Sequence, residues 1–183
     1  AGNLKTQTDA KGQTTSYQYD ALNRLTQASY PGGTITYSYD QGANAKGRLS
    51  QISDPSGLTS YQYHPSGRLS QKTQGSLVLK YSYHPVSGNL TGLTYPSGRN
   101  VTYSYTQGRI SAIQLDGQPV LSQIQYQPFG PVKSWLFGNG RPYTRSFDSD
   151  GRLKSYDLSS SIRTLDFDAA GRIKAYLNPA QSF

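Results

Sequence analysis

With 183 residues and a net charge of +8, the chain is long enough for one domain with a sizeable core. Leu, Ile, Val and Phe nevertheless supply only 34 residues, a share that taken alone points to disorder, and the 16 Tyr reverse that reading because each ring buries apolar area while its hydroxyl stays wet or finds a partner. The absence of Cys, Met and Glu excludes disulfides and thiolate metal sites and speaks against helices, since Glu is the better helix former and Asp belongs in turns.

The chain is self-similar from end to end. The second aromatic of a Tyr-x-Tyr pair, or its substitute, recurs at Tyr19, Tyr39, Tyr63, Tyr83, Tyr105, Tyr126, Phe147 and Phe167, at spacings of 20, 24, 20, 22, 21, 21 and 20 residues. Residues 1–183 therefore read as a single array of about eight units. The first unit sets the pattern. "TTSYQY" up to Tyr19 places Tyr on alternate positions, the period of a strand with one packed face. A turn follows at Asp20-Ala-Leu-Asn23, Arg24-Leu25 opens a second strand, and "YPGG" from Tyr30 turns the chain into the next Tyr strand.

Later units repeat this with Arg48-Leu49, Arg68-Leu69, Asn89-Leu90, Arg109-Ile110, Arg152-Leu153 and Arg172-Ile173. The fold class predicted is all-β, a repetitive antiparallel hairpin meander of roughly sixteen strands forming a strip. In the second strands Leu49 and Ile52, Leu90 and Leu93, and Ile110 and Ile113 stand three apart rather than two. A bulge in each would restore their facing. The unit from Ile124 to Trp135 departs from the pattern, with "YQPFGPVKSW" in place of Tyr-Asp and Arg-Leu.

His64-Pro-Ser-Gly67 stands where Asp20-Ala-Leu-Asn23, Asp148-Ser-Asp-Gly151 and Asp168-Ala-Ala-Gly171 stand in other units. All four read as type I turns ending in a residue at positive φ. The Asp carboxylate accepts backbone amides two or three residues on, and His keeps a ring nitrogen for the same task. His64 and His84, the two histidines, are thus turn residues rather than a catalytic pair or metal ligands. Asp148 and Asp150 lack the distal Glu of a calcium loop, and Asp166 with Asp168 forms no cleft of the kind a glycosidase needs. No residue is assigned a catalytic, cofactor-binding or metal-binding role, and no cofactor is expected. Because the arginines recur once per unit beside the turn, they are expected to stack on Tyr or pair with turn Asp, which disfavours nucleic acid as a partner.

The motifs Tyr17-x-Tyr19-Asp20 with Asn23-Arg24-Leu25, Tyr37-x-Tyr39-Asp40 with Gly47-Arg48-Leu49, and Phe167-Asp168 with Gly171-Arg172-Ile173 resemble the tyrosine-aspartate (YD) repeats of the Rhs family. Such repeats are found in bacterial Rhs polymorphic toxins, in C components of insecticidal toxin complexes and in teneurins. The resemblance implies a strip of β-hairpins spiralling into a hollow shell and a secreted or cell-surface bacterial protein. It also implies a non-enzymatic scaffold that encapsulates or presents a toxin polypeptide or other cargo, with flanking repeats or other shell segments as partners. The alternative is a carbohydrate-binding repeat module at a cell surface, its Tyr ladder stacking on sugar rings. The sequence has no apolar run long enough for a membrane helix and no signal-peptide pattern. It reads as soluble, without membrane insertion, and, lacking an initiator Met, as a processed or excised piece.

Overall fold

The computed structural model describes residues 2–158 and 161–177. A short strand, β1 (Thr6–Thr8), precedes the first repeat. The repeats then alternate Tyr strands with their partners: β2 (Thr14–Tyr19), β3 (Leu25–Tyr30), β4 (Gly33–Tyr39), β5 (Leu49–Asp54), β6 (Gly57–Tyr63), β7 (Leu69–Gln74), β8 (Leu77–Tyr83) and β9 (Leu90–Thr94). The second half continues with β10 (Asn100–Thr106), β11 (Arg109–Leu115), β12 (Gln118–Tyr126), β13 (Val132–Phe137), β14 (Pro142–Phe147), β15 (Leu153–Leu158), β16 (Ser161–Phe167) and β17 (Ile173–Leu177). The described residues thus hold seventeen strands, the extra one being β1, and no helix. The antiparallel hairpin meander expected from the repeat is the fold observed.

The chain divides into two compact units, Ala1–Val86 with Leu93–Arg99 and Ser87–Gly92 with Asn100–Phe183. In the first, β1 to β8 pair each with the next in antiparallel register. In the second, β10 to β17 do the same. Alternation sorts side chains by face. Tyr17, Ala28 and Ile35 share one cross-strand row, as do Tyr37, Ile52 and Thr59. In the second unit Tyr103, Ile113 and Leu121 do likewise. The opposite face carries amide and hydroxyl rows such as Gln18, Gln27, Thr36 and Ser53.

The bulges expected at Leu49 to Ile52 and at Ile110 to Ile113 are present, and bulges recur at one place in the repeat. Register shifts by one residue just before the second aromatic, at Tyr19, Tyr39, Tyr63, Tyr105, Phe147 and Phe167. In each case two residues of the partner strand oppose one, so that Tyr39 faces Leu49, Ser38 faces Gln51 and Ser50 is the extra residue. The inserted residue turns Leu49 back onto the face of Ile52, and Ile110 onto that of Ile113.

One expectation is corrected. The aromatic face is not a packed core. Among the described residues only Ala28, Ala45, Ser50 and Thr59 are buried, and no large side chain is fully covered. Tyr17, Tyr19, Tyr37, Tyr39, Tyr61, Tyr63, Tyr81, Tyr83, Tyr103 and Tyr105 are all half-buried. Within each unit every strand contacts only its neighbours in sequence, so within its unit a ring is covered by the side chains beside it. Burying so little apolar surface lowers the heat capacity of unfolding. Scanning calorimetry is therefore expected to give a value below about 12 cal/mol/K per residue, the lower end for globular domains. A value at or above that range would mean that the faces are covered.

Candidate functional site: the junction between repeats

Several of the turns that link a Tyr strand to its partner are built on one side chain that reaches forward along the chain. Asp20 Oδ1 accepts the amides of Leu22 and Arg24, each at 2.9 Å. Asp148 Oδ1 accepts those of Asp150 at 3.0 Å and Arg152 at 2.8 Å, and Asp168 Oδ1 those of Ala170 and Arg172 at 2.9 Å. The bonded amides lie two and four residues on, rather than two and three, because the residue that follows at positive φ swings the fourth amide inward. That residue is Asn23 at 60°, Gly151 at 78° or Gly171 at 74°. His64 Nδ1 takes the Ser66 amide at 3.2 Å and meets the Ser66 hydroxyl at 2.9 Å, while His84 Nδ1 takes the Val86 amide at 3.3 Å. Both histidines thus use a ring nitrogen as the turn acceptor.

The arginine after the turn ties it to the next repeat. Arg24 Nε reaches Asp20 at 2.7 Å, Arg24 Nη2 reaches Asp40 of the following turn at 2.7 Å, and the guanidinium lies 4.3 Å from the centre of the Tyr39 ring. Arg48 lies over Tyr63, Arg68 over Tyr83, Arg109 over Tyr126 and Arg152 over Phe167, at 4.8 to 5.7 Å. Where no carboxylate follows, turn carbonyls substitute: Arg48 donates to Gly67 at 3.0 Å, and Arg109 to Gln127 and Gly130 at 3.3 and 3.2 Å. Stacking on Tyr and pairing with Asp, posed as alternatives from sequence, occur together in Arg24.

A third link was not visible in the sequence. The hydroxyl of the second Tyr donates to the backbone carbonyl of the residue after the previous repeat's arginine: Tyr39 to Leu25 at 2.8 Å, Tyr63 to Leu49 at 2.6 Å and Tyr83 to Leu69 at 2.9 Å. Tyr126 reaches Ile110 at 2.9 Å in the same way. Tyr105 to Leu90 at 2.8 Å and Tyr19 to Leu4 at 3.0 Å follow suit without the arginine. Burial raises the Tyr39, Tyr63 and Tyr83 phenols above their ordinary value, which keeps them as donors.

In the divergent unit, Gln127-Pro-Phe-Gly130 closes by the same pair of backbone bonds as His64-Pro-Ser-Gly67, with Pro131 in the place of Arg68. Arg145 lies 5.2 Å from the ring centre of Trp135 and 5.4 Å from that of Tyr143, and those two rings stack at 4.1 Å. Of the acidic pairs singled out in the sequence, one shares a cation and the other is divided between two. Asp148 and Asp150 both pair with Arg152, at 2.7 and 2.9 Å. Asp168 pairs with Arg172 at 2.8 Å, while Asp166 faces Lys174 at 3.8 Å.

The Arg24 amide and then its guanidinium hold Asp20 below the usual carboxylate range, the Arg24 side chain does the same to Asp40, and the Arg172 amide does so to Asp168. A carboxylate favoured by the fold contributes fully above the unfolded value of about 3.9 and loses that contribution as pH falls through its lower folded value. Thermal melts are expected to fall between about pH 5 and about pH 2, and less steeply in the double variant Asp20→Asn, Asp168→Asn. Equal slopes would contradict this. Tyr39→Phe, Tyr63→Phe and Tyr83→Phe are each expected to cost about 0.5–1.5 kcal/mol in denaturant melts, the net value of one hydrogen bond. Tyr61→Phe and His64→Asp are expected to stay within about 0.5 kcal/mol of the parent.

Residues 1–35 and 44–76 match the family model described as RHS Repeat. No curated protein matches the chain. In fold the whole chain is similar to the crystal structure of TcdB2-TccC3, with 15% identity and a TM-score of 0.84, and to that of TcdB2-TccC3-Cdc42, with 14% and 0.84. It is also similar to a Photorhabdus luminescens Tc holotoxin pore carrying a TccC3 mutation, with 12% identity and a TM-score of 0.60. It spans 11, 11 and 12% of those chains. The matched segments contain Tyr17-x-Tyr19-Asp20 with Arg24-Leu25, Arg48-Leu49, and Tyr61-x-Tyr63 with Arg68-Leu69, and these segments are Rhs-type repeats.

Proposed function

We propose that residues 1–183 act as one continuous repeat array, a non-enzymatic segment of a β-shell wall that encloses or presents a toxin polypeptide or other cargo. The observation that carries this reading is a sheet without a core, held by a junction repeated from unit to unit. Such a sheet gains stability from extension, as in other repeat proteins, because each added unit contributes a new interface. The polar groups that would serve an active site are occupied. Nδ1 of His64 and Nδ1 of His84 each hold a turn, and Asp20, Asp148 and Asp168 are bound by amides and arginine. Likeness in fold to toxin-complex structures supports a bacterial, secreted or cell-surface setting and flanking shell segments as partners.

The Tyr-ladder version of sugar binding is disfavoured, since the second tyrosines spend their hydroxyls on the preceding repeat and several of their rings lie under arginine. Protection from protease tests the shell. In a parent protein carrying both these repeats and a cargo segment, trypsin is expected to spare the cargo while the wall is intact. Combining Tyr39→Phe, Tyr63→Phe and Tyr83→Phe is expected to release it to digestion. Cargo cut equally fast behind intact repeats would contradict the proposal.

A further inference from the structure

Strands β13 to β16 carry two arginines that do not belong to the junction between repeats. Arg145 and Arg163 stand inside β14 and β16 rather than after a turn, and neither makes an ion pair or hydrogen bond with a described residue. Register aligns them. Arg145 faces Tyr156 and Tyr156 faces Arg163, so both leave one face of the sheet, two strands and roughly 9.5 Å apart. Tyr143, two residues before Arg145, shares that face and stands opposite Trp135. At the far end Arg163 lies 5.7 Å from the centre of the Tyr176 ring, and the hydroxyls of Tyr156 and Tyr176 meet at 2.7 Å.

Two observations set this face apart. The first is a shortage of acceptors. Of the four buried side-chain donors without a partner among the described residues, three are here: Trp135 Nε1, Arg145 Nε and Arg163 Nε. A buried donor left unpaired is costly. The second is uncompensated charge. Asp157 and Asp166, the acidic residues of these strands, alternate onto the opposite face. Asp157 takes the Thr144 amide at 2.8 Å and its hydroxyl at 2.6 Å, and Asp166 lies 3.8 Å from Lys174. In the adjoining turns Asp148 and Asp150 pair with Arg152, and Asp168 with Arg172.

We propose that this face binds an acidic peptide segment in extended conformation. A guanidinium takes a carboxylate through two parallel hydrogen bonds, and each arginine has only to turn about its own side-chain bonds to bring Nε and a terminal nitrogen onto one. Residues on the same side of an extended peptide stand roughly 6.5–7 Å apart, within reach of two long side chains so placed. The Trp135 and Tyr143 stack offers the peptide an apolar surface beside the charges. A nucleic acid would need a longer run of cations. Arg145 and Arg163 are the only arginines in these strands, and Lys133 and Lys154 are the extra residues at register shifts, outside the row. The inference holds whether or not the array forms a shell wall.

Trp135 is the single tryptophan, so its fluorescence reports on the site directly. The probes are a capped peptide of Glu-Ser repeats, its Gln-Ser counterpart, inorganic phosphate and a short oligothymidylate, each titrated into the full chain at low ionic strength. The expected result is a saturable change with the Glu-Ser peptide, with a Kd on the order of 1 mM or tighter. Arg145→Gln with Arg163→Gln is expected to weaken binding at least about tenfold, whereas Lys5→Gln with Lys11→Gln, which removes the same charge elsewhere, leaves it within about twofold. Arg145→Lys with Arg163→Lys keeps the charge and loses the planar fork. It provides a second variant should the first fold poorly, and is expected to weaken binding likewise. No saturation by the Glu-Ser peptide, undiminished binding by either arginine variant, or an equal loss on removing Lys5 and Lys11 would each overturn the proposal. Binding of the Gln-Ser peptide, phosphate or oligothymidylate as tightly as the Glu-Ser peptide would overturn it too.

Discussion

The structure depends on the contact between one repeat's arginine and the next repeat's aromatic. A sheet that buries so few side chains fully cannot rely on the burial that stabilises most domains, in which apolar area removed from water contributes about 25 cal/mol per Å². Here the half-buried ring gains a guanidinium across its face and, where it is tyrosine, a carbonyl for its hydroxyl. Cation–π contacts of this kind contribute about 0.5–1 kcal/mol at exposed sites and more when desolvated. Each contact is modest, and recurrence makes the sum matter. Phe147 and Phe167 show how the parts separate: Phe167 keeps the arginine at 4.8 Å without any hydroxyl to bond.

The turn, the bulge and the clasp form one device. Asp20 fixes the turn through amides of Leu22 and Arg24, and its second oxygen orients Arg24 toward the next repeat. The bulge beside the second aromatic keeps Tyr39 opposite Leu49 while leaving Leu49 and Ile52 on one face. Glycine is required at one corner of this arrangement for a reason beyond its positive φ. A Cβ on Gly67, at φ 80°, would stand 2.1 Å from Arg48 Nη2, so a side chain there would make the Arg48 guanidinium shift from its place over Tyr63. Gly151 has the same φ of about 80° with open space around it, and serves the backbone alone.

Much of this was legible in the sequence because the repeat averages over local ambiguity. Alternating Tyr fixed the strands and their face, and the Asp, Asn and Gly spacing fixed the turns. Three-residue spacing at Leu49 and Ile52 announced the bulge. The equivalence of His64 with Asp20 followed from the copies alone. What stayed hidden was long-range. The acceptor for the Tyr39 hydroxyl is the backbone of Leu25, and a backbone carbonyl leaves no residue-type signature to read. The open faces also escaped notice, since alternation marks a face as different from its opposite without saying whether anything covers it. The longer turn from Asp40 to Arg48, closed by the Asp40 amide on the Arg48 carbonyl, showed in the sequence only as the irregular 24-residue spacing.

A double-mutant cycle on Arg109 and Tyr126, whose guanidinium and ring centre lie 5.0 Å apart, tests the clasp most directly. Denaturant melts of Arg109→Gln, Tyr126→Leu and the double variant are expected to give a coupling of about 0.5–1 kcal/mol. The pair Arg109→Gln with Phe167→Leu, in a different junction, is expected to be additive within about 0.3–0.5 kcal/mol. Additivity at Arg109 and Tyr126 as well would mean that the repeats are held by their strand pairing alone, and would contradict the account.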